Sequence, residues 1–338
     1  MPTTASTPGE DLRRLVLGFR LSQAIYVAAE LGIADLLIDG PRSAEELAAA
    51  AEAHAPSLYR VLRLLAGEGI FAESEDGRFF LTPMAELLRD DAPGSLRPLA
   101  RQSLGDASWR SWGQLLRSVQ TGQPAFDRVH GVGFFEYYRQ RPAEQAIFDA
   151  LMSSYTEPIT QAVATAYDFS PFGTVVDVGG GRGALTLGLL ARYPLIRGVV
   201  FDQPEVAGAA QQAIQAAGQM DRCQAVGGNF FQEVPEGGDV YLLKFILHDW
   251  DDEQCVAILR ACRAAVPVSG RLLVIELLVP PGNVPSFAKS QDITMLVNLG
   301  GRERTEIEYR ALLTSAGFEL TRSIPAEGEL HIIEGRPV

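Results

Sequence analysis

Residues 174–183 read Thr-Val-Val-Asp-Val-Gly-Gly-Gly-Arg-Gly, an apolar run that ends in four glycines and one arginine. The apolar part predicts a buried strand, and the glycines predict a sharp turn where a ligand can approach the backbone closely. A helical pattern follows up to Tyr193, so the turn also carries the free N–H groups of a helix N-terminus. This order of elements is typical of a ligand-binding α/β sheet.

Strands and helices alternate from this turn to the end of the chain. The predicted strands are 174–178, 198–201, 223–226, 240–247, 272–278, 318–324 and 330–334. The predicted helices that follow the first one are 204–217, 252–266 and 305–316. This alternation predicts an α/β fold with a Rossmann-like, doubly wound sheet of seven strands, in which the last two strands form an antiparallel edge.

The N-terminal part has a different pattern. A helix with one apolar side is predicted over Asp11–Leu37. Ser43 and Glu46 form the sequence of a capping box, so a second helix begins there, and a third covers 56–65. Asp76-Gly77 then separates two short β-prone runs and predicts a hairpin turn. Two helices and a hairpin in this order predict a winged helix-turn-helix module.

The charge distribution argues against nucleic acid as the partner of this module. The chain has 42 acidic and 29 basic residues, a net charge of −13, whereas DNA binding depends on Lys and Arg that neutralise phosphates. The second helix of the module carries only Arg60 and Arg63, and the hairpin tip at 73–76 is acidic. We therefore expect no nucleic acid and no membrane as partner. The apolar helix Leu12–Leu37 instead predicts a homodimer contact.

The length of 338 residues predicts about two domains joined by a linker. We expect a helical winged-helix domain for dimerisation at 1–105, a helical linker at 106–165 and a cofactor-binding domain at 166–338. Aromatic residues of the linker predict either core or the wall of a pocket for a flat substrate. The N-terminus lacks an apolar signal segment, and the three cysteines lack metal-ligand spacing. We expect a cytoplasmic enzyme without a metal.

Two acidic residues accompany the glycine-rich turn. Asp177 precedes Gly179 and Gly181, and Asp202 ends the second predicted strand. An acid at that place accepts hydrogen bonds from ribose hydroxyls, so the sheet is expected to bind a cofactor that contains a ribonucleoside. A helix cap before Pro204 is the structural alternative for Asp202. A nicotinamide oxidoreductase is the functional alternative, because the glycines nearly satisfy that fingerprint.

Two more segments end the third and fourth predicted strands. Asn229 and Phe230 offer an amide acceptor and an aromatic face to an adenine, although a plain turn with a core phenylalanine fits nearly as well. His248 follows an apolar strand within Leu-Leu-Lys-Phe-Ile-Leu-His-Asp-Trp-Asp-Asp at 242–252. Open α/β sheets place their ligands at this edge. The position favours a catalytic histidine over a core histidine.

These motifs together resemble the plant-type and bacterial small-molecule S-adenosylmethionine-dependent O-methyltransferases, the family of caffeate- and polyketide-O-methyltransferases. The resemblance covers nearly the whole chain. Its most specific parts are the segment at 242–252 and Gly-Gly-Arg-Glu-Arg-Thr-Glu-Ile-Glu at 300–308. It implies a methyltransferase sheet, an N-terminal dimerisation domain, and methyl transfer from S-adenosylmethionine to a hydroxyl of a small aromatic molecule.

The resemblance also implies a role for each motif. His248 corresponds to the general base, and Glu276 and Glu308 correspond to two acidic residues that flank it. The residues expected at the cofactor are Asp177, Gly179, Gly181, Asp202, Asn229, Phe230, Lys244, Asp249 and Trp250. Family members usually have Asp in place of Asn229. The residues expected at the substrate are Phe148, Met152, Tyr155, Met295 and Asn298.

The expected chemistry is consistent with these residue types. A phenol has a pKa of about 10 and an imidazole one of about 6.5, so a histidine can accept the phenolic proton as the oxygen attacks an activated methyl group. A carboxylate beside the imidazole fixes its tautomer. One alternative is a relative that keeps the cofactor for hydroxylation or rearrangement, which has less need of His248. The acceptor type, whether phenol, carboxylate or amine, stays open.

Overall fold

The computed structural model describes residues 6–338, apart from the side chain of Glu157. Contacts divide the chain into two compact units: one comprises the chain up to Arg110 together with Tyr138–Ser154, and the other comprises Ser111–Tyr137 with Tyr155–Val338. The predicted linker at 106–165 is therefore divided between both units. Among the described residues, no helix has both the length and the apolar character needed to cross a membrane.

The first unit begins with helices and contains a small antiparallel sheet of order β1-β3-β2. Its elements in this part of the chain are α1 (Pro8–Leu17), α2 (Phe19–Glu30), α3 (Ile33–Leu36), β1 (Arg42–Ser43), α4 (Ala44–Ala50), α5 (Ala55–Gly67), β2 (Phe71–Glu73), β3 (Arg78–Leu81), α6 (Pro83–Glu86) and α7 (Arg97–Leu104). Two helices followed by a hairpin, α4, α5, β2 and β3, confirm the predicted order. Ser43 and Glu46 form the predicted capping box at the start of α4.

The single helix predicted over Asp11–Leu37 is wrong, since this segment forms three helices. Gly18 separates α1 from α2, and Gly32 separates α2 from α3. Gly32 has a φ of 64°, a left-handed conformation that ends a right-handed helix and that glycine adopts without steric cost. The apolar pattern predicted the helical state correctly but carried no information about these two breaks.

The middle of the chain is helical. Its elements are α8 (Asp106–Trp112), α9 (Leu115–Thr121), α10 (Ala125–His130), α11 (Phe134–Arg139) and α12 (Pro142–Ala166). Within the second unit, Phe126 is fully buried, and its ring lies 5.0 Å from that of Phe134 and 5.2 Å from that of Tyr137. The linker aromatics were predicted to form either core or a pocket wall, and Phe126, Phe134 and Tyr137 are core residues.

The second unit is built on a seven-stranded sheet of order β6-β5-β4-β7-β8-β10-β9. Its elements are β4 (Thr174–Val178), α13 (Ala184–Arg192), β5 (Arg197–Asp202), α14 (Pro204–Ala216), β6 (Cys223–Gly227), β7 (Val240–Lys244), α15 (Asp252–Ala265), β8 (Arg271–Leu277), α16 (Phe287–Asn298), α17 (Glu306–Ser315), β9 (Phe318–Pro325) and β10 (Leu330–Pro337). The first five strands of the sheet pair in parallel, and β10 pairs antiparallel with both β8 and β9. The predicted doubly wound sheet with an antiparallel edge is confirmed.

Both faces of this sheet are covered, as its continuous apolar strands require. Val175 and Leu242 belong to the apolar core on one side, and Val176 and Tyr241 to the core on the other. The direction in which the chain adds strands reverses at β4: β5 and β6 lie on one side of it, and β7 and β8 lie on the other. The carboxyl ends of β4, β5 and β7 therefore meet at the switch point, where a crevice for a ligand forms in such sheets.

Candidate active site

The glycine-rich turn after β4 has the conformation that its composition predicts. Gly179 and Gly181 have φ values of 73° and 57°, in the left-handed region. A Cβ atom on Gly179 would collide with the side chain of Ile246, so the chain packs tightly on this side. At Gly181 no heavy atom lies within 4 Å of the position that a Cβ would take. The turn therefore packs against protein side chains at Gly179, whereas the space beside Gly181 is free for a ligand.

Asp202, at the end of β5, contacts this turn directly. Its Oδ2 accepts a hydrogen bond from the Gly181 N–H at 2.9 Å, and its Oδ1 accepts one from Gln203 at 2.7 Å. Gln203, not Asp202, is the N-cap residue of α14. The structure therefore places Asp202 beside the open glycine, and the alternative of a plain helix cap does not describe it.

Asp177 lies under the same turn and is buried. Its Oδ2 accepts a hydrogen bond from the Thr186 hydroxyl at 2.8 Å, while its Oδ1 has no hydrogen-bond partner among the described residues. Burial raises the pKa of Asp177 to about 6. A buried polar atom without a partner is rare, and the free oxygen of Asp177 can accept a hydrogen bond from a ligand bound at the turn.

Aromatic rings border the turn on the side of β6. A Cβ atom on Gly179 would lie 3.6 Å from the ring of Phe230, and the rings of Phe231 and Trp250 meet edge to face at 4.9 Å. Asn229 is exposed, and its side-chain oxygen accepts a hydrogen bond from the Phe231 N–H at 3.0 Å. Asn229 thus forms the turn that was one of its two predicted roles.

Lys244, the last residue of β7, brings a cation to this end of the sheet. Its Nζ lies 5.3 Å from the ring centroid of Phe245. Burial lowers the pKa of Lys244, and the charges of Asp177 and Glu276 oppose that shift. The open glycine, the Asp202 carboxylate, the unpartnered Asp177 oxygen and the aromatic rings fit a cofactor that carries a ribose and an adenine.

The catalytic candidate His248 lies on a short 3₁₀ turn, Leu247–Asp249, directly beyond β7. The strand ends at Lys244, three residues before the predicted end, because Phe245 has a φ of 53° that no strand accommodates. The Phe245 ring stacks on the His248 imidazole with centroids 5.4 Å apart and planes 18° apart. The left-handed conformation of Phe245 therefore directs its ring onto the His248 imidazole.

Glu276, on β8, holds the backbone of this turn. Its Oε1 accepts hydrogen bonds from three consecutive amides, those of Ile246 at 3.1 Å, Leu247 at 3.0 Å and His248 at 3.3 Å. Its Oε2 lies 3.7 Å from His248 Nδ1. Burial raises the pKa of Glu276 to about 7, although the His248 charge opposes this. Glu276 thus flanks the histidine, as the resemblance implied.

Glu303 makes the direct hydrogen bond to the imidazole. Its Oε1 lies 2.8 Å from His248 Nδ1, and both side chains are buried. Asp249 lies on the other side of the ring, with Oδ1 3.3 Å from Nε2. Burial alone would lower the pKa of His248, but the three carboxylates around it raise that pKa to about 10. A hydrogen bond at Nδ1 leaves Nε2 as the nitrogen that can exchange a proton with a substrate.

The resemblance predicted Glu308 beside the imidazole, but the structure places Glu303 there instead. Glu308 closes the capping box of α17, where its Oε2 accepts hydrogen bonds from the Thr305 N–H and hydroxyl, both at 2.8 Å. Its Oε1 lies 3.3 Å from Arg302. The sequence Thr305-x-x-Glu308 is itself a capping-box signature, so it could have identified Glu308 as a structural residue and left Glu303 as the partner.

Two other residues that the sequence analysis missed support the site. Asp292, on α16, accepts a hydrogen bond from the Glu303 N–H at 3.0 Å and so fixes the segment that carries Glu303. Arg304 is completely buried and binds the carbonyl oxygens of Leu247 and Trp250, both at 2.8 Å. A buried arginine is unusual, and apart from the Asp252 carboxylate its partners are main-chain carbonyl oxygens, which no sequence motif specifies.

The residues predicted at the substrate lie in both units. Phe148 and Met152 belong to the first unit, where Phe148 stacks on Tyr138 with centroids 5.2 Å apart. Tyr155, Met295 and Asn298 belong to the second unit. Asn298 ends α16 and is buried, and its side-chain oxygen has no hydrogen-bond partner among the described residues. Their contact with a substrate remains a prediction.

The arrangement around the imidazole also resembles a metal site. His248, Glu276 and Glu303 each offer one ligand atom, and these atoms lie within 4.8 Å of one another. One oxygen of each carboxylate has a protein partner, since Glu303 Oε1 binds Nδ1 and Glu276 Oε1 binds the backbone amides, whereas Oε2 of both glutamates is buried without a hydrogen-bond partner among the described residues. The expectation of a metal-free enzyme therefore remains a prediction that a chelator can test.

Comparisons with known proteins identify the family of the chain. The family model of the O-methyltransferase domain matches residues 112–319, and that of the O-methyltransferase dimerisation domain matches residues 13–91. Phenazine O-methyltransferase PhzM of Lysobacter antibioticus is 47% identical over 97% of this chain and 96% of its own. The crystal structure of LaPhzM is 46% identical, with a TM-score of 0.93 over 98% of this chain and 100% of that chain.

A second solved structure contains ligands. NcsB1, an O-methyltransferase from neocarzinostatin biosynthesis in complex with S-adenosylmethionine and 2-hydroxy-5-methyl naphthoic acid, is 37% identical, with a TM-score of 0.84 over 94% of this chain and 96% of that chain. Full-length matches at this identity, the two family models and the fold agree with one another. The chain therefore belongs to the S-adenosylmethionine-dependent O-methyltransferases.

Proposed function

We propose that this enzyme methylates a phenolic hydroxyl of a small, flat aromatic molecule, with His248 as the general base. The observation that carries the proposal is the 2.8 Å hydrogen bond between His248 Nδ1 and Glu303 at the ligand edge of the sheet. The phenazine and naphthoic acid names of the similar proteins support a substrate of fused aromatic rings. Such a substrate needs little more than an apolar slot and one polar anchor.

The residues at the switch point are proposed to hold the cofactor. Asp202 would bind the ribose hydroxyls, the open backbone at Gly181 would admit the amino-acid part, and Phe230 would lie against the adenine, with Lys244 and Trp250 near the same end. S-adenosylmethionine, when bound, supplies a sulfonium methyl group that is already activated for displacement. The protein therefore needs to orient the acceptor and to remove one proton.

His248 and its carboxylates perform the proton transfer. Nε2 of His248 would accept the hydroxyl proton of the acceptor as its oxygen becomes the nucleophile, while Glu303 at Nδ1 would stabilise the positive charge that forms on the ring. A pKa of about 10 for His248 is close to that of a phenol, about 10. The carboxylates thus make the imidazole a stronger base than it is in water, which favours removal of the phenolic proton.

The proposal is tested by incubating the protein with methyl-labelled S-adenosylmethionine and a panel of aromatic acceptors. The panel contains hydroxylated phenazines and hydroxynaphthoic acids, together with matched amino and carboxyl analogues that lack the hydroxyl. We expect the label to appear as a methyl ether on a hydroxylated member. Label on an amine or carboxylate alone would contradict the phenolic acceptor. The same assay with a chelator tests the metal-free expectation, since turnover should not change.

We also propose that the enzyme is a homodimer that pairs through α1 and α2. On α1, Leu12, Leu15 and Val16 are each more than 60% exposed, and Phe19 at the start of α2 is half exposed. Four large apolar side chains on one short stretch are typical of a protein interface. The dimerisation domain matched at residues 13–91 includes most of this stretch. Light scattering that gives the mass of one chain at micromolar concentration would contradict the proposal.

A further inference from the structure

The guanidinium of Arg304 uses every donor that it has. It is fully buried, and its five N–H groups meet five acceptor contacts. These are Nη1 to the Leu247 carbonyl at 2.8 Å and to the Arg302 carbonyl at 3.2 Å, Nη2 to the Trp250 carbonyl at 2.8 Å, and Nη2 and Nε to Asp252 Oδ1 at 2.9 and 3.1 Å. A buried cation with all its donors satisfied is a rigid anchor, since any movement leaves a donor without a partner.

Two of these acceptors belong to the turn that carries the general base. Leu247 is the first residue of the 3₁₀ turn, and Trp250 follows its last. A turn of three residues has little stability of its own, because it closes few hydrogen bonds of poor geometry. Its amides are bound by the Glu276 carboxylate, and its carbonyls are bound by Arg304. The turn is thus held by an anion at its N–H groups and by a cation at its C=O groups.

The anchor and the partner of the imidazole are consecutive residues. Glu303 points to His248 Nδ1, while Arg304 points to the carbonyls of the same turn. The segment is tied to the sheet, because the Val279 N–H donates to the Arg304 carbonyl at 3.1 Å and Leu278 forms a bridge with Arg304. Residues 303 and 304 therefore fix both groups of this hydrogen bond: Glu303 supplies the carboxylate, and Arg304 holds the turn that carries the imidazole.

We propose that Arg304 is a positioning residue for methyl transfer: by clamping the Leu247 and Trp250 carbonyls, it keeps the His248 imidazole at hydrogen-bond distance from Glu303. The inference rests on the proposed role of His248 as the base. It assigns Arg304 no contact with substrate or cofactor. Loss of the clamp lengthens the bond from His248 to Glu303 and so weakens the support that the carboxylate gives to the imidazolium.

The first test needs no substrate. The chain has four histidines, so selective ¹³C labelling of the imidazoles and comparison with His248→Gln identifies the His248 signal. Arg304→Lys keeps the positive charge but loses the planar fork. We expect the pKa of His248 to fall by more than about 1 in this variant, because a nearby carboxylate that moves away supports the charged ring less. An unchanged pKa in a folded variant would overturn the proposal.

Arg302→Lys is the matched control. Arg302 is a neighbour of Arg304 in the chain and binds the same Asp252 at 2.6 Å, but its side chain is 45% exposed and makes no hydrogen bond to the turn among the described contacts. We expect Arg302→Lys to leave the His248 pKa in place. An equal fall of the His248 pKa in both variants would overturn the proposal, because it would show that the effect comes from Asp252, which both arginines bind, and not from the bonds of Arg304 to the turn.

The second test measures turnover with the acceptor that the panel identifies. We expect Arg304→Lys to lower kcat by about 10²-fold, the usual effect of a displaced catalytic group, with the affinity for S-adenosylmethionine unchanged. Equal kcat would overturn the proposal. If the wild-type protein methylates no acceptor, the proposed function fails, and the imidazole titration still decides on Arg304.

A milder variant keeps the test available if Arg304→Lys does not fold. Asp252→Asn weakens the hold on Nε and Nη2 of Arg304, and Glu253→Gln removes an exposed charge beside it without touching the guanidinium. We expect the His248 pKa to fall further in Asp252→Asn than in Glu253→Gln. Equal values in these two variants would overturn the proposal.

Discussion

His248 Nδ1 and Glu303 Oε1 lie 2.8 Å apart although 55 residues separate them in the chain. The histidine comes from the turn beyond β7, and the glutamate from the segment between α16 and α17. Because the bond occupies Nδ1, Nε2, which lies 3.3 Å from Asp249 Oδ1, is the nitrogen that we propose for proton transfer with the substrate. This pairing determines which side chains matter for turnover, and the predictions below follow from it and from the residues around it.

Replacing the base itself gives the most direct prediction. We expect His248→Gln to lower kcat by about 10²–10⁴-fold, the usual contribution of a general base. The side chain does not lie among the residues proposed to bind the cofactor, so calorimetry should give an unchanged affinity for S-adenosylmethionine. A variant that keeps full turnover would show that His248 is not the base.

The pH dependence of turnover should report the carboxylates around the imidazole. The three acids raise the pKa of His248 to about 10, so kcat/KM should rise with pH through the neutral range, because only the neutral ring accepts a proton. Glu303→Gln removes a negative neighbour, which lowers the pKa of the imidazolium, so its profile should level off at a lower pH and at a lower maximum. Profiles that superimpose after scaling would contradict this.

Glu308 should affect stability and not chemistry. It closes the capping box of α17 with Thr305 and faces a half-exposed arginine. We expect Glu308→Ala to lower the free energy of unfolding by about 0.5–2 kcal/mol, the usual cost of a lost helix cap. Urea denaturation measures this, and kcat of the folded variant should equal that of the wild type. A large fall in kcat would restore Glu308 as a catalytic residue.

Asp202 should determine the affinity for the cofactor. Its carboxylate is proposed to bind the ribose and also holds the Gly181 N–H at 2.9 Å. We expect Asp202→Ala to raise the Kd of S-adenosylmethionine by about 10–100-fold, the loss that corresponds to one or two hydrogen bonds to a charged group. Calorimetry measures this, with the exposed Asp221→Ala as the control. Equal affinities in the two variants would exclude the ribose role.

Glu334, on β10, provides a pH-dependent contribution to stability. Tyr167, Thr321 and Arg322 all donate to its carboxylate, at 2.6, 2.6 and 2.9 Å. Burial raises the pKa of Glu334, but these hydrogen bonds outweigh burial and lower the pKa to about 2. The folded pKa lies below the unfolded one of about 4.3, so this stabilisation is complete above pH 5 and disappears as the pH falls through 2.

We therefore expect Glu334→Gln to be less stable than the wild type by about 1–3 kcal/mol at pH 7, within the range for a partly exposed, charge-assisted network. The difference should shrink as the pH is lowered below 5. Urea denaturation at several pH values measures it. A difference that grows toward acid would reverse the sign and contradict the assignment.

Most of the sheet could be predicted from the sequence, because alternating and continuous apolar runs report local burial. The strands at 174–178 and 223–226 agree with β4 and β6 to within one residue. Asp202 and Gly181 were predicted to bind the same cofactor, and the structure places them in contact, because the carboxyl ends of adjacent parallel strands meet. The errors lie where one residue overrides the pattern, at Gly32 in the first helix region and at Phe245 in the fourth strand.

The site was predicted less completely than the fold. The histidine was found because its motif is local, but its partner depends on a contact between residues far apart in the chain. Two acids, Glu303 and Glu308, lay within one short segment, and only the capping-box pattern distinguishes them before the fold is known. Arg304 escaped prediction because it binds carbonyl oxygens, which every residue has.

The left-handed backbone at Phe245 carries a strain that the packing of the Phe245 ring offsets. A large side chain in that conformation costs about 1–2 kcal/mol that a glycine would not incur. A glycine, however, would remove the ring that stacks on His248. The ring also packs against the apolar core on one side of the sheet, so its loss would cost at least as much stability as the relieved strain returns, and stability and the placement of the imidazole both favour a large aromatic side chain at 245.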